Sequence, residues 1–234
     1  PFFTLMGKIF TMFPTASDIG LRVNYLSVIS SSLCVLLLYL ISVKVIKSWK
    51  GNPKSFTETL IICGASTVGA LSYAFSDSFW FNALEGEVYG MGTLLIGICM
   101  YLLMIWWEKS DEPGSDKYLL LVAYVVGLSI GIHLLVAQCI FLAGLFFYFK
   151  RYEYTPKTLL IAIALSSIAF FLVYPGIVKK FPLIMSGSVA LGVLLIGLIV
   201  FGIYYARQKM NPILSLLTLS LFLIILGYST YISI

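Results

Sequence analysis

The sequence predicts an all-α, polytopic integral membrane helical bundle, and three observations carry that prediction. Of the 234 residues, 60% are hydrophobic and only 11% are charged, with a mean hydropathy of +1.02. Soluble domains carry about a quarter of their residues as charges. Several apolar stretches run near the roughly 20 residues that cross a hydrocarbon core of about 30 Å as a helix. Those stretches lack the period-two alternation of polarity that a transmembrane barrel strand needs. The net charge of +5 speaks to topology and not to nucleic-acid binding, because in such a chain the placement of Lys and Arg reports sidedness.

Residues 1–14, mostly apolar but broken by Thr4, Lys8 and Thr11 and closed by Pro14, are too short to span and predict an interfacial helix. Thr15, Ser17 and Asp18 are candidate N-caps for a first span over 19–43. It ends in Lys44, Lys47, Lys50 and Lys54, the strongest basic cluster of the chain. Spans follow at 57–75 and 88–107, separated by the stretch Ser76–Gly90, and "EKSDEPGSDK" then reads as a solvated loop.

Residues 118–149 are nearly uncharged, too long for one upright helix and short for two. If they cross twice, as arms 118–133 and 134–149 meeting near His133, eleven Lys and Arg fall on one side and four on the other. A single crossing gives eight against seven. The cytoplasmic excess of basic residues therefore selects a broken-helix hairpin. Sixteen residues per arm reach only about 24 Å, so the turn lies below the outer surface, where irregular backbone must be buried or line a wet cavity. Spans at 158–174, 182–206 and 213–231 complete eight membrane segments, with Tyr174-Pro175-Gly176 expected to end the first of these cleanly. Cys34, Cys63, Cys99 and Cys139 each sit in a different apolar stretch with no CxxC spacing, which predicts buried small apolar residues. Both ends read as internal to a longer protein, and the whole chain reads as one transmembrane domain.

This count puts four features on the outer face: Arg22, the stretch "SDSFWFNALEGEVYG" at residues 76–90, His133, and Lys179-Lys180. Acids, one His and cations beneath an outer surface suit a substrate with a phosphate at the interface and an apolar tail in the bilayer. Arg22 and the two lysines also read as side chains that snorkel to headgroups, and His133 reads equally as a structural hinge or a functional group. In the loop, Ser76 or Asp77 is a candidate helix cap, and its aromatic residues fit an interfacial belt. Glu85 and Glu87 fit neither reading, because two carboxylates at the mouth of an apolar span are costly to desolvate. A helix over 78–89 would put Asn82, Glu85 and Tyr89 on one face. No metal-ligand spacing is present, so no metal is expected.

The strings "PFFTLMGKIFTMFP", "LRVNYLSVISSS", "FSDSFWFNALEGEVYGM", "GLSIGIHLL" and "LGYSTYISI" resemble, in that order, a family of multi-pass proteins abundant in Bacteroidetes and long labelled a domain of unknown function. That family is related to the animal transmembrane protein O-mannosyltransferase and has the GT-C glycosyltransferase architecture. The resemblance implies a GT-C-like membrane core in the bacterial inner membrane. Its activity would be transfer of a mannose-like sugar from a polyprenyl-phosphate carrier to a protein or glycan acceptor on the outer face. The lipid-linked donor is then a substrate and no cofactor is expected; membrane lipid, and other membrane subunits where they exist, are the remaining partners. It also implies that the catalytic general-base Asp lies upstream of Pro1, leaving none in this chain, which alone would be inactive. Asp77, Trp80, Asn82, Glu85, Glu87, Tyr89, Arg22 and His133 become the candidate substrate-binding residues. A lipid-linked-saccharide transporter or a non-catalytic assembly subunit is the alternative that uses the same cavity without a base.

Overall fold

The structure is a computed structural model that describes residues 2–229; the end of the last predicted span and of the string "LGYSTYISI" lie outside them. Every regular element among the described residues is helical. Five helices are long and apolar enough to cross a membrane, and a sixth crossing is counted if a bent helix pair is taken as one span. The chain is a multi-pass membrane protein. It divides into two compact units, residues 1–104 and 105–234, and each is described by itself.

In the first unit, α1 (Phe2–Met12) is the short apolar helix that opens the chain. Asp18 is the N-cap of α2 (Ile19–Lys50), accepting a hydrogen bond of 2.8 Å from the Gly20 amide. This helix runs seven residues past the expected end at Val43. Lysine is a good helix former, and basic residues in the last turn complement the helix dipole. At 32 residues it is about 48 Å long, so its lysine-bearing end extends past a hydrocarbon core. Gly51, at φ 86°, stops it, with its amide on the Lys47 carbonyl. Next, α3 (Phe56–Ala74), capped by Ser55, bends by 66° into α4 (Asp77–Leu84). Then α5 (Val88–Lys109), whose last five residues belong to the second unit, runs back beside α2, with Gly97 against Leu37 and Tyr101 under the Lys44 ammonium. The buried face of α2 is Leu26, Ser27, Ser30, Ser31 and Cys34, and that of α3 is Ile62, Ser66 and Ala70. Such small faces let helix backbones approach closely without a hydrophobic drive between them.

The second unit holds the predicted hairpin. Its arms are α6 (Lys117–Ile130) and α7 (Gln138–Arg151), joined through a 3₁₀ turn at Leu134–Ala137. The base of the hairpin is closed by charge. Asp111, in the loop before α6, lies 3.6 Å from Lys150 and 3.8 Å from Arg151, and Arg151 also donates to the Ser110 carbonyl at 2.7 Å. Fully buried Trp106 stacks on Phe147 beside this cluster. The two ends of 117–151 therefore meet, and the chain between them goes out and returns. With 14 residues, α6 is about 21 Å long, well short of a bilayer core.

The expected clean break at Pro175 does not occur. From α8 (Pro156–Phe171) the chain continues through a π-helical stretch, Leu172–Lys180, into α9 (Phe181–Gly187). Proline lacks an amide proton and crowds the preceding turn; here the helix widens by one residue per turn and continues, with the Phe181 amide reaching the Gly176 carbonyl. The break falls at Ser188, whose extended backbone and side-chain oxygen cap α10 (Val189–Gln208), so the span predicted from residue 182 starts later. Asn211 caps α11 (Pro212–Tyr228), which packs along α6. Three of the four cysteines are buried as expected, whereas Cys63 is half-buried.

Candidate functional site

The stretch 76–90 belongs to the first unit, and its sequence dictates a helix, a break and a second helix. Ser76 occupies the N-cap of α4 but makes no side-chain cap bond; its hydroxyl donates instead to the Tyr73 carbonyl at 2.7 Å. Asp77 stands exposed in the first turn, where its charge favours the helix dipole. Phe79 is buried against Tyr73 at a ring separation of 4.3 Å. Trp80 is half exposed and stacks on Phe75, and Phe81 is exposed as well. That distribution, one ring of α4 inward and two outward, is what an interfacial helix presents to the headgroup region.

A single helix over 78–89 does not form. α4 ends at Leu84, Glu85 is extended (φ −93°, ψ 140°), and α5 begins at Val88. Glycine in a helix interior is unfavourable, and Gly86 stands at the break. Asn82, Glu85 and Tyr89 therefore share no helical face. Asn82 and Tyr89 meet across the break all the same, as two walls of a small pocket in which Glu85 has no part.

Gly86 also explains how the two glutamates are held. A Cβ there would lie 2.7 Å from the Asn24 side-chain oxygen and 3.5 Å from Val23, so any other residue would require the Asn24 amide to turn away. Val23 also receives Gly7 of α1; α1, α2 and the loop converge on this residue. The Ser27 hydroxyl donates to the Glu87 carbonyl at 3.2 Å, and the Glu87 amide to that of Glu85 at 2.7 Å. One turn further, a Cβ on Gly90 would lie 2.9 Å from the Ser31 oxygen. The backbone of Glu-Gly-Glu is thus pinned to α2. Both side chains are exposed, and among the described residues no Lys or Arg lies within ion-pair distance of either.

Arg22, predicted at this mouth, is half committed to the fold. Its Nε donates to the Ala16 carbonyl at 2.6 Å and one terminal nitrogen to the Thr11 carbonyl at 3.0 Å. These bonds satisfy a carbonyl at the end of α1 and tie that helix to α2; the guanidinium retains further N–H donors for an anion. Arg22→Ala is expected to cost about 1–3 kcal/mol and to release α1, seen as earlier proteolysis near Met12–Ser17, and Arg22→Lys is expected to restore only part of the protection.

His133 belongs to the second unit. Its Nδ1 accepts a 3.2 Å hydrogen bond from the Leu135 amide and so caps the 3₁₀ turn of the hairpin. Lys179 and Lys180 are exposed, with Lys179 5.1 Å over the Tyr174 ring. Among the described residues no three His, Cys, Asp or Glu side chains gather as a metal ion would require. Asn24, Ser27, Tyr73 and Thr93, which support or line the site, escaped the sequence reading; the only signal for them was the glycine between two acids, which demands a close neighbour.

Residues 1–156, which contain the whole loop, Arg22 and the hairpin, match the model of the family described as protein O-mannosyl-transferase TMEM260, N-terminal domain. The chain belongs to this family. No curated protein and no solved structure gives a significant match. In this member of the TMEM260 N-terminal domain family, the part that lies beyond the match is the last third of the chain, from the second residue of α8 onward.

Proposed function

We propose that this chain is the membrane core of a glycosyltransferase that moves a mannose-like sugar from a polyprenyl-phosphate carrier to a protein or glycan acceptor on the outer face of the cytoplasmic membrane. The observation that carries the reading is the pinned Glu85-Gly86-Glu87 turn within a chain of the O-mannosyl-transferase family. Glycosyl transfer separates charge at the anomeric carbon and frees a phosphate, and it needs acceptor hydroxyls held in a fixed line of attack. Carboxylates on a backbone tied to α2, with no Lys or Arg among the described residues within ion-pair distance, are suited to orienting sugar or acceptor hydroxyls. Arg22, one residue before Val23 on the same turn of α2, retains donors for the carrier phosphate. The exposed rings of Trp80 and Phe81 keep the loop at headgroup depth, where a lipid-linked sugar sits. His133 serves the hairpin turn of the second unit.

The test is transfer by the intact protein in liposomes, with polyprenyl-phosphate-mannose labelled in the sugar. Label is expected to appear on acceptor peptide with one polyprenyl phosphate released per sugar. Movement of the intact labelled lipid between leaflets, with no label on peptide, would show a transporter instead.

A further inference from the structure

The carboxyl end of α2 outruns the membrane. Its 32 residues make about 48 Å of helix against a hydrocarbon core of about 30 Å. The apolar run stops at Val43, which puts the overhang at the lysine-bearing end. The last two turns there are two-sided. Lys44, Lys47 and Lys50, three residues apart, follow one side of the helix, whereas Val45 and Trp49, four apart, follow another. Trp49 is 80% exposed, and Phe56, the first residue of α3, is 77% exposed. Lys44 lies 5.6 Å over the Tyr101 ring and is used inside the unit. Lys47 and Lys50, and Lys54 in the turn beyond Gly51, are exposed, and among the described residues no acid lies within ion-pair distance of them. Glu58 is the only acid between Asp18 and Asp77. Its Oε2 accepts a 2.6 Å hydrogen bond from the Lys54 amide, so it serves the start of α3.

Exposed rings beside ammonium groups without counter-charges call for a partner that is anionic and apolar in adjoining layers. We propose that the last two turns of α2, with the turn up to Phe56, form a docking surface for anionic phospholipid. Phosphodiester headgroups meet Lys47, Lys50 and Lys54, and the rings of Trp49 and Phe56 rest where headgroup gives way to acyl chain. Continuity favours lipid over an acidic protein: this surface prolongs an apolar span, so the headgroup layer is the first medium it meets, and a protein would have to displace that layer. Lys50 sits 5.4 Å over the Trp49 ring, which holds one cation at the depth of the ring. The same helix carries Asn24 and Ser27 beneath the Glu85-Gly86-Glu87 turn, so an anchor at its basic end sets the depth of that turn.

The test reads Trp49 fluorescence from the intact protein in nanodiscs that mix phosphatidylcholine and phosphatidylglycerol, with one or the other lipid brominated as quencher. Subtracting the signal of Trp49→Phe isolates this ring from the other tryptophans. A lysine near an anionic surface favours it roughly fivefold. Wild type is therefore expected to prefer phosphatidylglycerol over phosphatidylcholine at Trp49 by about tenfold or more. The triple variant Lys47→Gln, Lys50→Gln, Lys54→Gln is expected to lose that preference to within about twofold, and the matching triple arginine variant to keep it. Raising salt from about 0.1 M to about 1 M shortens the screening length from about 10 Å to about 3 Å, and the wild-type preference is expected to collapse with it. The salt series needs no variant, so it decides the matter even where the glutamine protein folds poorly. Equal quenching by the two lipids, a preference that survives both glutamines and salt, or a Trp49 that neither lipid quenches overturns the proposal. The last of these results would mean that protein covers this end instead.

Discussion

Neutralising Glu85 and Glu87 together as glutamines is expected to lower kcat/KM for sugar transfer by the intact protein about 10²-fold while leaving its thermal midpoint within about 2 °C. The two halves of that expectation have different sources. The small effect on stability follows from exposure: neither carboxylate has an ion-pair partner among the described residues, and the contacts that hold the turn are made by Gly86 and by backbone groups, which glutamine leaves in place. The large effect on transfer follows from rigidity. A side chain on a pinned backbone contributes its orientation to every turnover, and glutamine keeps the shape while removing the charge that aligns hydroxyl protons. The two single variants are expected to differ, since the Glu87 carbonyl is bonded to Ser27 whereas the Glu85 amide and side chain carry no such tie. Undiminished transfer by the double variant would return the turn to a purely structural role.

Gly127→Leu is expected to remove most of the folded protein, a cost of about 3 kcal/mol or more. The crossing of α6 and α11 leaves no room there: a Cβ on Gly127 would collide with the Ile224 carbonyl, and one on Gly227 would lie 2.6 Å from both the Leu128 amide nitrogen and the Tyr124 carbonyl oxygen. The colliding atoms are backbone, so no rotamer change relieves them and the helices must separate. Separation matters because α6 is a short arm of the hairpin, whose place depends on this neighbour. Gly197→Leu on α10 is the control, since nothing lies within 4 Å of its Cβ position. The yield of monodisperse protein and its thermal midpoint, compared between the two variants, report the difference; equal behaviour would contradict the close crossing.

These two sites differ in how far the sequence foretold them. The helical membrane fold and the hairpin were legible because they rest on composition and on the placement of lysines, both of which are one-dimensional. Asp111 with Lys150 and Arg151 joins the two ends of that hairpin. The path through Pro175 was not legible, since proline reads as a breaker unless a wider turn absorbs it, and residues on either side give no sign of that turn. The extension of α2 to Lys50 was missed because a basic cluster marks a membrane boundary without marking a helix end. Arg22 reads as a cation awaiting an anion, whereas its nearest acceptors are carbonyls six and eleven residues away. Within the loop, the acids were conspicuous but their support was not: Ser27 and Asn24 lie about sixty residues earlier and show no motif.

The central claim is that the Glu-Gly-Glu turn faces a lipid-linked sugar at the outer surface, and it can be read from a single reactive thiol. Glu85→Cys in the intact protein, in sealed spheroplasts, is treated with a membrane-impermeant maleimide before and after loading with polyprenyl-phosphate-mannose. The native cysteines lie within apolar helices, three of them buried and Cys63 half-buried, and the unsubstituted protein sets the background. The account predicts rapid labelling from outside and at least a several-fold slowing when donor is present. Labelling only after the membrane is opened, or labelling at the same rate with and without donor, would contradict it.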